Sequence, residues 1–258
     1  MPGTLDTASL QNLFLFDDIT SEQLSWLGSR LYIKTFSAGS NVITLGQPGE
    51  AVYIVLRGAV KVCAEQVDGS NLILAILGPG ETIGEMSLLD NDVSSATIVT
   101  LEETRLMSMG RDTFRECLYR LPNFSDNLIR ILCSRLRQAN EQLQSIAAMS
   151  IPARVARQLL VLVERYGRAI GDGSFIIPFR LTQSDLAGLV GASRVHVNKA
   201  MVYYKQRKYI SVDEHWRIRV HNYEGLANRC PEISSVTLDR TAASVLPMSQ
   251  DSCYIRNC

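Results

Sequence analysis

The side chains around residue 195 could bind a polyanion through hydrogen bonds. Four of them lie within six residues, namely Arg194, His196, Asn198 and Lys199. Arginine can donate two hydrogen bonds to a guanine edge, and lysine can reach a base or a phosphate. Histidine and asparagine are smaller polar groups that could lie at the same groove. This spacing predicts contacts with the base edges of DNA.

Residues 183–202 have the pattern of a helix-turn-helix, which would position those side chains. Ala187 is small enough for two helices to approach each other, and Gly191 permits the positive φ of a turn. Thr182 and Ser193 can cap the first and the second helix. A helical hairpin without function would explain the apolar positions of this segment, but not a basic cluster directly after the second cap.

A second set of polar residues suits phosphate contacts, which position a protein on DNA without specifying the sequence. The set consists of Thr182, Gln183, Ser193, Lys205, Arg207 and Lys208. Short strands are predicted at residues 176–177 and 217–220, where they would form the wing of a winged helix.

The distribution of charge indicates a polyanion partner for the C-terminal part of the chain. The 258 residues have a formal net charge of zero. Residues 1–150 contain 11 basic and 17 acidic side chains, whereas residues 151–222 contain 12 and 5. A solvated basic surface would show the same counts, so charge alone leaves both interpretations open.

Residues 38–109 consist of short β-prone runs separated by glycines. Asp68-Gly69 lies between two apolar runs and indicates a hairpin. This spacing predicts a small antiparallel sandwich or barrel, with one or two short helices at residues 10–31 packed against it.

Residues 123–150 have a helical period instead. Apolar or small side chains alternate three and four residues apart at Ile129, Leu132, Leu136, Ala139, Leu143 and Ile146. This is the pattern of a coiled-coil seam and predicts a homodimer. A helix that packs only on its own domain could show the same stripe.

The cysteines and the motif search argue against an enzyme or a metal protein. The six cysteines form no CxxC pair, and Cys63, Cys117 and Cys133 are expected to be small core residues. There is no Gly-rich phosphate loop, no HExxH and no nucleophile with a plausible base nearby. Because no apolar run approaches the roughly 20 residues of a membrane span and the N-terminus lacks a signal-peptide pattern, we expect a cytoplasmic protein.

The order of these motifs resembles the cAMP receptor protein and FNR family of regulators between Leu10 and His221. The matching motifs are Ala38-Gly39, Gly46-Gln47-Pro48-Gly49, Leu77-Gly78-Pro79-Gly80-Glu81, Gly84-Glu85-Met86-Ser87-Leu88-Leu89, Ser95-Ala96-Thr97, and Leu181-Thr182-Gln183 leading into Ser193-Arg194.

We expect an α+β chain with four parts. Three of them follow from the resemblance: an effector-sensing β-roll of the cyclic-nucleotide-binding type with short N-terminal helices (1–122), a dimerisation helix (123–150) and a winged helix-turn-helix (151–222). The fourth, residues 223–258, lies beyond the resemblance and is expected to be a loosely ordered tail, because it has prolines, many serines and threonines and no clear periodicity. The resemblance further implies a homodimer on a palindromic operator with half-sites about 34 Å apart, controlled by an effector and contacting RNA polymerase.

The resemblance also implies an effector pocket, formed by Gly84, Glu85, Met86, Ser87, Ser94, Ser95, Arg135 and Asn140. In the cAMP-binding members, the Gly-Glu pair holds the ribose and a following Arg-Ser pair binds the cyclic phosphate. Here Ser94-Ser95 stands in place of the Arg-Ser pair, and Ala139-Asn140 replaces a base-contacting Thr-Ser. We therefore expect poor binding of cAMP, because the charge-assisted hydrogen bonds of the arginine are lost.

Several alternatives remain open for the effector. Cyclic di-GMP, a small acid, or no ligand at all would each be compatible with the sequence. Haem is not expected, because all three histidines lie in the DNA-binding part, and an iron-sulfur cluster is not expected, because no cysteine precedes Cys63. A cyclic-nucleotide-binding module that regulates a partner protein is the competing class.

The predicted recognition helix departs from the family pattern. A glutamate commonly follows the arginine, and Val195 takes its place, so a valine could pack on a thymine methyl. The Arg-Val-x-Val arrangement at residues 194–197 resembles the cyanobacterial nitrogen-control branch, which hints at a cyanobacterial source.

Overall fold

The computed structural model describes residues 10–65 and 71–230. In this described part of the chain, the N-terminal domain contains two four-stranded antiparallel sheets. Their strands are β1 (Leu31–Phe36), β2 (Asn41–Ile43), β3 (Ala51–Arg57), β4 (Val60–Glu65), β5 (Asn71–Leu77), β6 (Thr82–Ile83), β7 (Thr97–Thr100) and β8 (Thr104–Gly110). One sheet has the order β1-β8-β3-β6 and the other the order β2-β7-β4-β5, which together form the predicted β-roll.

Local patterning explains these strands. In β3, Val52 and Ile54 point into the core, which is the period of two expected for a strand with one buried face. Asp68-Gly69 lies outside the described residues, but β4 and β5 on either side of it pair in antiparallel fashion. A 3-10 turn (Phe14–Phe16), helix α1 (Ser21–Gly28) and helix α2 (Glu85–Leu89) complete the domain.

Helix α3 (Arg111–Arg120) leads into helix α4 (Pro122–Ala148), which is 27 residues long and therefore spans about 40 Å. Pro122 suits the first turn of α4, where its missing N–H costs no hydrogen bond. Phe124 and Leu128 are buried against the β-roll and fix the beginning of the helix. None of the described helices, α4 included, combines the length and the apolar character that a bilayer crossing requires.

The exposed face of α4 contains five of the six predicted seam residues, namely Ile129, Leu136, Ala139, Leu143 and Ile146. Leu132 packs against the β-roll core instead of facing outward. The exposed residues that alternate three and four positions apart are Asp126, Ile129, Cys133, Leu136, Asn140, Leu143 and Ala147, here called the α4 stripe. The prediction that Cys133 is a core residue is therefore wrong, whereas Cys63 and Cys117 are buried as expected.

The C-terminal domain has the fold of a winged helix. It contains α5 (Ile151–Tyr166), β9 (Arg168–Ala169), β10 (Phe175–Ile176), α6 (Gln183–Val190), α7 (Arg194–Gln206), β11 (Ile210–Val212), β12 (Ile218–Val220) and α8 (Tyr223–Ala227). The strands pair in the order β11-β12-β10-β9, and the turn between β11 and β12 is the tip of the wing. The predicted α+β fold is confirmed.

Helix α8 corrects the expectation of a loosely ordered tail from residue 223. Leu226 is fully buried, and α8 packs against α5. Asn222 caps the helix by accepting a hydrogen bond from the Gly225 backbone N at 2.7 Å. An apolar residue in a capped turn is enough to hold residues 223–230 on the domain. Residues 231–258 of the predicted tail, with Cys253 and Cys258, lie outside the described residues.

The core of the C-terminal domain continues into the β-roll. One cluster of buried side chains contains residues of α5 to α8 together with Ala59, Cys63, Ile73, Ile76 and Leu101 of the β-roll, and is here called the interdomain core. Gly78 lies so close to the Tyr166 ring that an added Cβ would be 2.8 Å from Cε1. The two domains are therefore packed against each other without an intervening gap at this contact.

Candidate nucleic-acid interface and effector pocket

Caps at both helices set the geometry of the helix-turn-helix. The Thr182 hydroxyl oxygen accepts a hydrogen bond from Asp185 N at 3.1 Å, and Thr182 N donates to Asp185 Oδ2 at 3.0 Å. Gly191 ends α6 with a φ of 60°, which favours glycine. Ser193 then caps α7, as predicted, with its Oγ accepting from His196 N at 3.5 Å.

Side chains from two other helices hold the end of α6. Gln142 of α4 donates a hydrogen bond to the Leu189 carbonyl at 2.9 Å, and Arg154 of α5 donates to the Val190 carbonyl at 2.8 Å. These carbonyls lack partners inside the helix, so the two donors both satisfy them and fix the direction of α6.

Asp185 connects α6 to the β-roll. Its side chain is buried and accepts a hydrogen bond from Lys61 Nζ of β4 at 2.9 Å. Burial disfavours the charge of this carboxylate, but the hydrogen bonds from Thr182 and Lys61 outweigh it and hold the pKa of Asp185 below its ordinary value. The first helix of the motif therefore has an ionic contact with the other domain.

The structure brings the predicted base-contacting residues together on one exposed surface of α7. At 100° per residue, Arg194, Asn198, Val195 and Lys199 fall within one 140° sector, and His196 lies about 60° beyond Lys199. All five are exposed, whereas Val197, Ala200, Met201 and Tyr204 on the opposite side are buried. Val202, which sequence reasoning missed, is exposed in the centre of the sector.

A cleft of about 360 Å³ lies between this helix and the wing, lined by Arg180, Thr182, Gln183, Ser184, Arg194 and Trp216. Trp216 is half-exposed at the tip of the wing and has a φ of 60°. Asp213 organises that tip, because its Oδ1 accepts hydrogen bonds from the backbone N–H groups of His215 and Arg217, both at 2.9 Å. Sequence reasoning missed Arg180 and Trp216, since isolated side chains outside the motif carry no spacing signal.

The predicted phosphate-contacting residues fall into two groups. Thr182, Gln183 and Ser193 lie near the beginning of α6 and α7, beside Arg194. Lys205, Arg207 and Lys208 are exposed at the other end of α7. Lys205 comes eleven residues after Arg194 and so lies about 16 Å further along the helix. The Thr182 hydroxyl donates to Asp185 Oδ2 at 2.6 Å, so its proton is already used inside the cap.

The predicted effector pocket is built around Glu85, the first residue of α2. Gly84 precedes it with a φ of 85°, and a Cβ there would lie 2.9 Å from the Ala51 carbonyl oxygen. Glu85 is only 3% exposed and accepts a hydrogen bond from Arg135 Nη1 at 2.6 Å. Arg135 also donates to Thr82 and to Glu81, so α4 inserts a guanidinium into the β-roll.

The other predicted pocket residues are less tightly grouped. Ser87 and Ser94 are buried, and Ser94 N donates to the Gln47 carbonyl at 2.8 Å. Met86 and Ser95 are exposed, and Asn140 lies on the α4 stripe, where it faces solvent. The turn at residues 90–96 contains no arginine or lysine. Among the described residues, Glu85 Oε2 and Arg135 Nε are buried without a hydrogen-bond partner.

Glu81 links this pocket to the C-terminal domain. Its carboxylate accepts hydrogen bonds from Arg135 of α4 and from Arg165 of α5. The Tyr166 hydroxyl donates to the same carboxylate at 3.4 Å. Burial and the Glu81 charge raise the pKa of Tyr166, so its hydroxyl keeps the proton that it donates. A continuous polar network therefore runs from Glu85 through Arg135 and Glu81 to α5.

Comparison with known proteins agrees with this architecture. Residues 33–120 match the cyclic nucleotide-binding domain family, and residues 153–229 match the Crp-like helix-turn-helix domain family. The chain is 35% identical to a CRP-like cAMP-activated global transcriptional regulator of Mycobacterium tuberculosis, over 83% of this chain and 95% of that protein. A cyanobacterial source is not shown.

Solved structures share the fold at lower identity. FixK2 from Bradyrhizobium japonicum superposes with a TM-score of 0.69 at 19% identity, covering 78% of this chain and 98% of FixK2. The c-di-GMP responsive regulator CLP of Xanthomonas campestris has a TM-score of 0.60 at 20% identity, covering 83% of this chain and 99% of CLP. With the sensing domain, the long helix and the capped recognition helix in place, the chain belongs to the Crp/FNR family of DNA-binding transcription regulators.

Proposed function

We propose that the protein acts as a cytoplasmic homodimer that binds a palindromic operator under the control of a small effector in the β-roll and contacts RNA polymerase. The observation that carries this proposal is the exposed sector of α7, where Arg194, Asn198 and Lys199 stand together beyond a serine cap. A recognition helix of this kind fits the major groove with its N-terminal residues toward the base edges.

The α4 stripe supports the dimer. Leu136 and Leu143 are each 65% exposed and lie one heptad apart on this helix. Exposed leucines repeated at this spacing are stabilised when a second helix covers them. A two-fold axis beside α4 would make the interface isologous and would place the two α7 helices on the same side of the dimer.

Within each protomer, we propose that each part of the chain has the role that the sequence predicts for it. Residues 1–122 sense the effector, 123–150 form the dimer contact, and 151–222 bind DNA, with α8 extending the last domain. Arg194, Val195, His196, Asn198 and Lys199 contact bases. Gln183 and Ser193 contact the DNA backbone beside Arg194. Thr182, whose N–H and hydroxyl proton both go to Asp185, holds the beginning of α6 against the same phosphates. Lys205, Arg207 and Lys208 add longer-range attraction for the DNA backbone.

The effector that fits this pocket is a small molecule other than cAMP. Glu85 Oε2 offers a buried acceptor, and Arg135 Nε offers a buried donor. The Ser94-Ser95 turn supplies hydroxyl groups but no cation for a cyclic phosphate. The mycobacterial relative is cAMP-activated by name, so cAMP has to be tested directly beside cyclic di-GMP.

A ligand-independent regulator is a second candidate. Arg135 pairs with Glu85 and Glu81 of the same chain. This internal pairing joins α4 to the β-roll, which is the contact that an effector would otherwise have to make. In that case DNA affinity would be the same with and without added nucleotides.

The test of DNA binding starts from a random duplex pool, from which bound sequences are selected and their affinity is measured against salt. Specific binding should weaken with salt in proportion to the phosphates contacted. Arg194→Ala should cost about 1–3 kcal/mol of specific binding, and Arg120→Ala on the remote helix α3 should cost nothing. DNA association that neither depends on salt nor selects a sequence would instead favour a module that regulates a partner protein.

The effector is tested by calorimetry with cAMP, cGMP and cyclic di-GMP, repeated with Glu85→Ala and Arg135→Ala. Binding of cyclic di-GMP alone would identify a changed effector. Tight cAMP binding would refute the argument from the Ser94-Ser95 turn. Absence of binding together with full DNA affinity would support the ligand-independent candidate.

A further inference from the structure

We propose that Gln183 fixes Asn198 as a hydrogen-bond donor, so that α7 selects guanine or thymine at the base that Asn198 contacts. This inference deepens the proposed DNA binding and rests on it. Gln183 Nε2 donates to Asn198 Oδ1 at 2.8 Å, joining the first residue of α6 to the middle of α7. Asn198 is exposed and Gln183 is half-buried, so the pair spans the edge of the DNA-facing surface.

The direction of this hydrogen bond determines which atoms of Asn198 remain for DNA. An asparagine amide carries an oxygen acceptor and an NH2 donor on opposite sides of one plane. Because the oxygen side is turned toward Gln183, the NH2 side is left for the groove. An unrestrained asparagine can bind adenine with both groups, accepting from N6 and donating to N7. The contact with Gln183 opposes that two-point arrangement.

The neighbouring residues also offer donors rather than acceptors. Arg194 and Lys199 carry donors alone on their side chains. Residues 193–208 contain no aspartate or glutamate, the side chains that accept from cytosine N4. Ser193 Oγ lies 2.7 Å from His196 Nδ1. A Ser193 hydroxyl that donates to Nδ1 would leave the ring proton on Nε2, where it would be a further donor.

The bases that match such a surface present hydrogen-bond acceptors in the major groove. Guanine presents two acceptors in the major groove, and thymine presents an acceptor and a methyl group. At the position of guanine O6 and thymine O4, adenine and cytosine carry the N6 and N4 donors, which do not match an Asn198 that turns its NH2 side toward the groove. Val195 and Val202 lie within the same sector, seven residues apart, and suit a thymine methyl. The contacted strand of each half-site should therefore be rich in guanine and thymine.

The first experiment locates the base pair that Asn198 contacts and measures which base the protein prefers there. Operators selected by the full-length protein are compared with those selected by Asn198→Ala, and the position whose preference is lost is the Asn198 contact. Four operators that differ only in that base pair are then titrated with the wild-type protein. We expect guanine or thymine to bind about 5-fold or more tightly than adenine or cytosine, the equivalent of one net hydrogen bond.

Gln183→Glu reverses the proposed constraint, because a carboxylate can only accept and would turn the Asn198 NH2 toward itself. The base preference at the operator position that Asn198 contacts should then shift toward adenine or cytosine. Ser184→Ala, a neighbour of Gln183 on the same turn, should leave that preference unchanged. Selection of adenine by the wild type in an Asn198-dependent manner would overturn the proposal. So would a selected operator with no Asn198-dependent position. Failure to select any operator would instead refute the proposed DNA binding.

Discussion

Lys61 Nζ lies 2.9 Å from Asp185 Oδ1, and this ion pair joins strand β4 to helix α6 across 124 positions of sequence. The Asp185 side chain is 8% exposed and the Lys61 side chain 25% exposed. The pair is adjacent to the interdomain core and is partly shielded from solvent by it. It therefore contributes more than a surface ion pair, which is worth about 0–1 kcal/mol.

Replacing Lys61 by methionine should reduce the free energy of unfolding by about 1–3 kcal/mol, because the Asp185 carboxylate would remain buried with one partner fewer. Chemical denaturation of the purified protein measures this change. Lys205→Met, on an exposed position of α7, is the matched control and should lie within experimental error of the wild type. Equal stability of both variants would show that the ion pair contributes nothing.

The stability that Asp185 contributes should depend on pH in a defined direction. Its folded pKa is below the ordinary value of 3.8, so its charged form stabilises the fold. That contribution is fully present above the unfolded pKa and is lost as the pH falls through the folded pKa. The difference in unfolding free energy between wild type and Asp185→Asn should be constant from pH 7 to about 5 and should shrink below it. A difference that stays constant down to pH 3 would contradict the depressed pKa.

Oxidation should link two copies of the chain through Cys133. Cys133 lies on the exposed α4 stripe, and in the proposed dimer it would occupy a seam position, where symmetry-related residues of a parallel coiled coil face each other. In a background with Cys253→Ser and Cys258→Ser, copper-catalysed oxidation should give a covalent dimer on a non-reducing gel. Cys133→Ser should abolish it, and Asn140→Cys in that variant should restore it. A dimer in solution that Cys133 fails to link would indicate a different interface.

Gly84→Ala should destabilise the protein more than Gly80→Ala. Both glycines have a positive φ, near 85° and 88°, so alanine is strained at either position by about 1 kcal/mol or more. At Gly84 the new Cβ would also meet the Ala51 carbonyl oxygen at 2.9 Å, whereas Gly80 has nothing within 4 Å. Denaturation midpoints of the two variants measure the difference. Equal losses would mean that α2 moves freely away from β3.

Short-range patterns predicted the helix-turn-helix well. Thr182, Gly191 and Ser193 occupy the caps and the turn that their residue types indicate, because these signals act within a few positions of sequence. The exposed sector of α7 followed from the same helical period. Val202 could have been included, since it lies seven residues after Val195 on the same face.

Long-range contacts could not be predicted from such patterns. Leu132 and Cys133 both fit a spacing of three and four residues on α4, and the β-roll, which covers Leu132, decides between them. Lys61 gives no sign in sequence that its partner is Asp185. Trp216 follows no motif, and its place beside Arg194 results from the path of the wing.

The interdomain core has a thermodynamic consequence. Because Ile73 and Ile76 of the β-roll share one buried cluster with α5 to α8, moving the two domains apart must hydrate apolar surface. Hydration of apolar surface raises the heat capacity. An effector that separates the domains would bind with a positive contribution to the heat-capacity change, measurable from the temperature dependence of its binding enthalpy. An effector that turns the recognition helices while this cluster stays closed would lack that contribution.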